Sequence, residues 1–168
     1  MIIIKESEME FGPFEENEVF QIEKSNLYKA MTNTKVVEFI LKKESALLYF
    51  VEAKSSSPRP VPDNKDKFDE FITEIVEKFL HSINLCHAAL FKRHENANDM
   101  PESIKDIDAS QMKIVFVLVI NGHSIDWLPP LQVALERRLQ AYSSIWDVNV
   151  VNNSNIWAMN ALMKRKTS

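Results

Sequence analysis

Residues 49–54, Tyr49-Phe50-Val51-Glu52-Ala53-Lys54, place a carboxylate and an amine two positions apart at the end of a β-forming run. Side chains alternate along a strand, so Glu52 and Lys54 share one face. A second acid, Glu38, interrupts the apolar run Val36-Val37-Glu38-Phe39-Ile40-Leu41. An antiparallel pairing turned around residues 42–45 brings residue 38 opposite a residue near 50, close to Glu52 along the sheet. Two acids so placed repel unless a cation lies between them or one is protonated. A hard dication is the natural solution, since Mg²⁺ takes one or two carboxylates plus water and phosphate oxygens. Lys54 beside it could orient or deprotonate an attacking water, or stabilise charge building on phosphorus. The tripeptide alone is weak. A chain with 16 glutamates and 15 lysines contains on the order of one Glu-x-Lys by chance. Taken alone, it reads more readily as a salt bridge on an exposed strand end than as a site.

The elements around these residues give the motif its context. Residues 35–41 and 46–53 are rich in Val, Ile, Phe and Tyr and flank the polar run Lys42-Lys43-Glu44-Ser45, a strand–turn–strand signature. Phe68, Phe71, Ile72, Ile75, Val76, Phe79, Leu80 and Ile83 follow helical spacing, with acids on the other face. The spacing predicts a helix from about residue 64 to the low 90s. Residues 113–121 are almost wholly apolar, as in a strand buried on both faces. Pro129-Pro130 suits a helix start, with Leu131, Leu135 and Leu139 marking its buried side to about Tyr142. Residues 145–151 read as a further strand and 155–164 as a short amphipathic helix or capping tail. Upstream, residues 2–4 and 19–22 are short apolar stretches with Phe11-Gly12-Pro13-Phe14 as a turn between them. Ser25 caps one or two helical turns over 25–31. The order is β-hairpin, long helix, buried strand, helix, strand. It implies an α/β fold with a mixed sheet flanked by helices on both faces.

Composition bounds the function. The chain of 168 residues fits one domain, 1–168, with a core over about 18–151 and a C-terminal helix or tail over 155–168. One cysteine, Cys86, forms no internal disulfide and suggests a reducing compartment, hence a cytoplasmic protein. The opening Met1-Ile2-Ile3-Ile4 meets Lys5-Glu6 at once and is too short for a membrane span or signal peptide. Two glycines, Gly12 and Gly122, leave no glycine-rich phosphate loop, and one cysteine with four histidines argues against a zinc site. A net charge of −4 argues against a strong unaided nucleic-acid binder. The charge is uneven, however. Residues 1–18 hold six glutamates against Lys5, while residues 35–59 hold five cations against three acids.

The stretch Val36-Val37-Glu38-Phe39-Ile40-Leu41 followed by Leu47-Leu48-Tyr49-Phe50-Val51-Glu52-Ala53-Lys54-Ser55-Ser56-Ser57-Pro58 resembles the PD-(D/E)xK nuclease superfamily, the restriction-endonuclease-like fold. That fold's core is helix–strand–strand–strand–helix–strand, and the resemblance covers about residues 18–121. It implies a nuclease hydrolysing phosphodiester bonds of nucleic acid, DNA favoured, with Mg²⁺ or Mn²⁺. Carried over, Glu38 matches the acid of the hairpin's first strand, Glu52 the first motif residue and Lys54 the lysine. Glu38 stands where the family usually has Asp, with no Pro before it, so metal geometry can differ. The Ala53 carbonyl is a further ligand by analogy. Many members add a glutamate from the first core helix, for which Glu23 is favoured over Glu18. Ser55 and Ser56 could contact phosphate, with Lys42, Lys43 and Arg59 lining a groove. An acidic chain of this size needs a homo-oligomer or a partner subunit to hold nucleic acid, as in restriction, repair or phage-defence systems. No membrane contact is implied.

Other residues attract less chemistry. His81 and His87 are six apart and lie on different helix faces. Cys86 reads as packed and inert, His123 and Asp126 as loop or capping residues. Lys164-Arg165-Lys166 reads as a solvated end, and Trp157, Met159 and Met163 as core or a partner interface. A different class of function stays open: a catalytically inactive module that keeps this fold and binds protein through its acidic N-terminal stretch and C-terminal aromatic helix. A groove lined by Lys42, Lys43, Arg59 and Lys54 favours the nuclease. A carboxylate–lysine cluster with no groove favours the module.

Overall fold

The computed structural model describes residues 1–143 and 145–152. The expectations for residues 155–164, for Trp157, Met159 and Met163, and for the basic tail fall outside them. The strands are β1 (Ile2–Glu6), β2 (Met9–Phe14), β3 (Val19–Phe20), β4 (Phe39–Lys43), β5 (Leu47–Lys54), β6 (Lys113–Ile120) and β7 (Asp147–Asn152). The helices are α1 (Asn26–Lys29), α2 (Lys65–Leu90), α3 (Glu102–Lys105), α4 (Leu128–Arg138) and α5 (Gln140–Ser143). Strands β3 to β7 form one mixed sheet in sequence order. The first three pair antiparallel, and β5–β6 and β6–β7 pair parallel through the crossovers that carry α2 and α4.

The two faces of the sheet have different covers. On one, Ile40, Leu48, Phe50, Ile114, Phe116, Leu118 and Ile120 pack against the apolar stripe of α2 and the leucines of α4. Phe79 of α2 stacks on Phe116 at 4.8 Å between centroids. On the other, Phe39, Leu41, Tyr49, Val51, Ala53, Val115, Val117 and Val119 pack against Ile4, Met9 and Phe11. Those three come from the β1–β2 hairpin, so among the described residues this face is covered by a hairpin. Helices on both faces were expected; among the described residues the helices that pack on the sheet lie on the other face. Alternation along a strand says that two faces exist, but not what lies on each.

The Phe11-Gly12-Pro13-Phe14 stretch is no turn between strands. It is the end of β2 itself, paired with β1 through a register irregularity between Ile2 and Ile4. Gly12 has φ +114°, and a Cβ there would stand 2.7 Å from the Ile2 carbonyl oxygen. Only glycine lets the strand pass that point. The hairpin turns instead at Ser7 and Glu8, both at positive φ. The first strand of the central hairpin is also displaced, from the expected 35–41 to Phe39–Lys43. Val36 and Val37 are buried but make no ladder. Their segment is held by α2, where the Val37 N–H donates to Ser82 Oγ at 2.9 Å and the Lys35 N–H to His81 Nδ1 at 3.1 Å. Elsewhere the elements sit close to expectation. Helix α2 runs over 26 residues, β6 is buried from Ile114 to Ile120, and Ser25 Oγ accepts the Tyr28 N–H at the start of α1.

Candidate active site

The register that brings the acids together is set by the turn at Glu44-Ser45-Ala46. Phe39 pairs with Val51 and Ile40 with Phe50, and the Glu38 N–H donates to the Val51 carbonyl at 3.1 Å. Residues 40 and 50 share the α2 side of the sheet. Glu38, Glu52 and Lys54 are each an even number of positions from them, so all three project toward α2. Phe39 faces away from Glu38, as its alternate position demands, and its cover is the hairpin. Helix α2 covers the acids.

Glu52 is fully buried. Burying a carboxylate costs several kcal/mol unless opposite charge and hydrogen bonds meet it. Two ammonium groups do so. Lys78 Nζ lies 2.7 Å and Lys54 Nζ 3.3 Å from Glu52 Oε1. Lys78 also lies 3.8 Å from Glu38 Oε1, and Lys54 is paired to Glu74 at 2.8 Å. Glu74 and Lys78 stand four apart on α2, on neighbouring turns of one face. The cluster is therefore built by β5, by the residue entering β4, and by one face of α2. Sequence reasoning missed Lys78 and Glu74. The signal was a Glu-x-x-x-Lys pair beside the apolar stripe, the same pattern that a solvated face shows.

Both lysine contacts to Glu52 fall on Oε1. Among the described residues, Glu52 Oε2 is the one buried side-chain oxygen or nitrogen without a hydrogen-bond partner. An orphaned buried acceptor costs roughly 1–3 kcal/mol, more when charged.

Glu23, on the short 3-10 turn Ile22–Lys24, joins the group by hydrogen bonding to Glu38. Burial, this bond and the charge of Glu52 push the Glu38 carboxyl up to about 8, against the pull of Lys78. The shift favours the protonated form of Glu38 relative to an ordinary carboxyl. Burial also raises Glu52, opposed by its two lysines. Burial works to lower Lys54, but its bond to Glu74 and the charge of Glu52 prevail and raise it. The Lys54 bond in turn holds Glu74 low. These contacts favour the charged form of Lys54.

The raised Glu38 has a consequence for stability. A carboxyl near 4.5 in the unfolded chain and about 8 in the folded one binds more protons folded between those values. Its contribution is complete below about 4.5 and is lost as pH rises to about 8. The melting temperature should fall between pH 5 and pH 8 and level off above. Glu38→Gln, which keeps a neutral donor, should flatten that fall. Parallel melting curves for the two proteins across this range would show that Glu38 is not a protonated acid in the folded state.

The remaining expected residues separate. Ser7 Oγ donates to the Ala53 carbonyl at 2.9 Å, so the hairpin turn takes one lone pair of the oxygen expected as a ligand. Asn121 ties the same turn down by donating to the Ser7 carbonyl at 3.2 Å. Ser55 and Ser56 follow Lys54 as exposed residues. Lys42 and Lys43 lie toward the other end of β5 from Lys54. They pair with Leu48 and Leu47, at the start of β5, because β4 runs antiparallel to it. Five residues of strand separate Lys43 from Glu38, roughly 17 Å. Lys42 donates to the Ser103 carbonyl at 2.8 Å and Lys43 lies over the Phe14 ring. Arg59 lies over Trp127. Glu18 joins the sheet edge by backbone, its carbonyl accepting the Lys42 N–H at 2.7 Å.

Glu38 and Glu52 share the Lys78 ammonium and Glu52 Oε2 has no partner, so these carboxylate oxygens are the donors that a hard dication would use. Among the described residues, no three His, Cys, Asp or Glu side chains are grouped to cage a metal alone. Mg²⁺ held by two carboxylates with water and substrate oxygens needs no such cage. No helix among the described residues is long and apolar enough to cross a membrane. No protein-family model matches the chain, and no curated protein or solved structure matches it.

Proposed function

We propose that this chain is a metal-dependent nuclease of the restriction-endonuclease-like kind, hydrolysing phosphodiester bonds of nucleic acid, with DNA favoured. The observation that carries the reading is the buried Glu52. Its Oε2 has no partner, while Lys54 bonds its Oε1 and Glu38 shares the Lys78 ammonium with it. A purely structural ion pair gains nothing from an orphaned oxygen, and a ligand-binding one does. The order β3, β4, β5, α2, β6 also follows the strand–strand–strand–helix–strand part of the resemblance. Glu23 is close to Glu38 but stands on a short turn after β3, not on a helix before the strands.

In this reading Glu38 and Glu52 hold Mg²⁺ or Mn²⁺, which when bound supplies Lewis-acid stabilisation and acidifies water. Glu38 must release its proton to take part, so affinity for the metal should rise with pH toward about 8. Lys54, fixed between Glu52 and Glu74, places a cation where negative charge grows on the phosphoryl oxygens. The acidic chain would act as a homo-oligomer or with a partner subunit, in restriction, repair or phage defence.

One observation favours the alternative of an inactive binding module. Lys78 and Lys54 already neutralise the carboxylates from within the fold. Incubating the purified protein with single- and double-stranded DNA and RNA separates the two readings. Cleavage with Mg²⁺ or Mn²⁺ that stops on chelation supports the nuclease. Intact substrates throughout support the module.

A further inference from the structure

A second constellation stands at the same end of the sheet as Lys54, built by the loops that leave β5 and β6. The two strands end side by side, with Lys54 paired to Ile120 and the Asn121 N–H donating to the Lys54 carbonyl at 2.9 Å. The loop after β5 contains Pro58, Pro60 and Pro62, whose fixed φ angles stiffen it. It carries Ser57 and Arg59. The loop after β6 carries His123 and then the 3-10 turn Ile125–Trp127. Ser57 Oγ and His123 Nε2 are hydrogen-bonded at 3.2 Å. The buried His123 ring meets Trp127 edge to face at 5.1 Å. The Arg59 guanidinium lies 3.9 Å over the Trp127 ring. Arg59 is exposed and Trp127 half-buried beneath it.

This arrangement does more than close a loop. A guanidinium stacked on an indole loses little further freedom when its in-plane N–H donors meet an anion. Burial and the charge of Arg59 hold the His123 imidazole below its usual range. At neutral pH it braces the indole as an uncharged ring, and the charge of the platform is that of Arg59. The crevice beyond the C-terminal ends of parallel strands is where open α/β sheets bind ligands. Lys42 and Lys43, at the start of β5, cannot serve that crevice.

We infer that the Arg59–Trp127 stack, braced by His123 and Ser57, is an anchoring subsite for a phosphodiester group of the strand next to the one being cut. The inference rests on the nuclease reading and names its substrate grip. The stack makes a specific demand: a lysine keeps the charge of Arg59 but not its plane or its fork of donors.

The test is fluorescence anisotropy with labelled 20-nucleotide single- and double-stranded DNA and Mg²⁺, using full-length Lys54→Ala to prevent turnover. Melting curves establish that each variant is folded. Adding Arg59→Ala should weaken binding by about tenfold and make the slope of log K against log salt less steep by about 1. Adding Arg59→Lys should keep the slope but lose most of the affinity. Unchanged affinity with Arg59→Ala overturns the subsite, and so does full affinity with Arg59→Lys, which would leave only diffuse charge. If the parent binds neither DNA, the subsite and the nuclease reading fall together. If binding depends on Arg59 while wild-type protein cleaves nothing, the subsite stands and the nuclease reading falls.

Discussion

Replacing Lys54 by alanine should lower phosphodiester cleavage by about 10²–10⁴-fold, the range for a positioned group acting on a transition state. The fold should persist, because Lys54 is one-quarter exposed and Glu52 keeps its shorter contact with Lys78. Mn²⁺ binding should persist as well, since the oxygens of Glu38 and Glu52 are untouched. Initial rates of wild type and variant on one substrate at saturating metal give the comparison. Equal rates would make Lys54 a structural cation and remove its role near phosphorus.

Lys78→Met should cost about 3–5 kcal/mol in urea-induced unfolding without metal, the penalty for breaking a buried ion pair from one side. An exposed pair would cost less than about 1 kcal/mol. Here the lysine side chain is 12% exposed and its partner Glu52 0%, which places the pair in the buried class. Added Mn²⁺ should stabilise this variant more than wild type, because its cation replaces the missing one at Glu52. A loss below about 1 kcal/mol would show that Lys54 alone satisfies Glu52. Together the two lysine variants separate chemistry from charge balance: one should lose rate and keep stability, the other the reverse.

Much of this site is legible in the sequence, for identifiable reasons. The stripe Phe68, Ile72, Ile75, Phe79, Ile83 repeats at helical spacing, and α2 follows it closely. The alternation of Tyr49 through Lys54 and the short polar turn after Leu41 fix which acids face each other. A one-residue slip would have sent Glu38 to the hairpin side. Other features depend on contacts that a linear pattern does not carry. Val36 and Val37 look like strand residues, yet their backbone is bonded by Ser82 and outside the ladder. Lys42 and Lys43 look like turn residues, yet they extend β4. The Gly12-Pro13 pair looks like a break, yet β2 runs through it. Lys78 looks like a surface lysine, because its partner Glu52 lies 26 positions away in sequence. The separation of the basic residues is topological, since antiparallel pairing puts Lys42 and Lys43 at the opposite end of β5 from Lys54.

The central claim is that Glu38 and Glu52 hold a dication beside Lys54. The most direct measurement is anomalous diffraction from crystals of the protein soaked in Mn²⁺ at pH 8, where Glu38 can give up its proton. A Mn²⁺ peak should appear within coordination distance of Glu52 Oε2 and a Glu38 oxygen, with Lys78 Nζ drawn away from its 2.7 Å contact with Glu52. A Mn²⁺ ion bound elsewhere, or no ion with Lys78 still seated on Glu52, would contradict it.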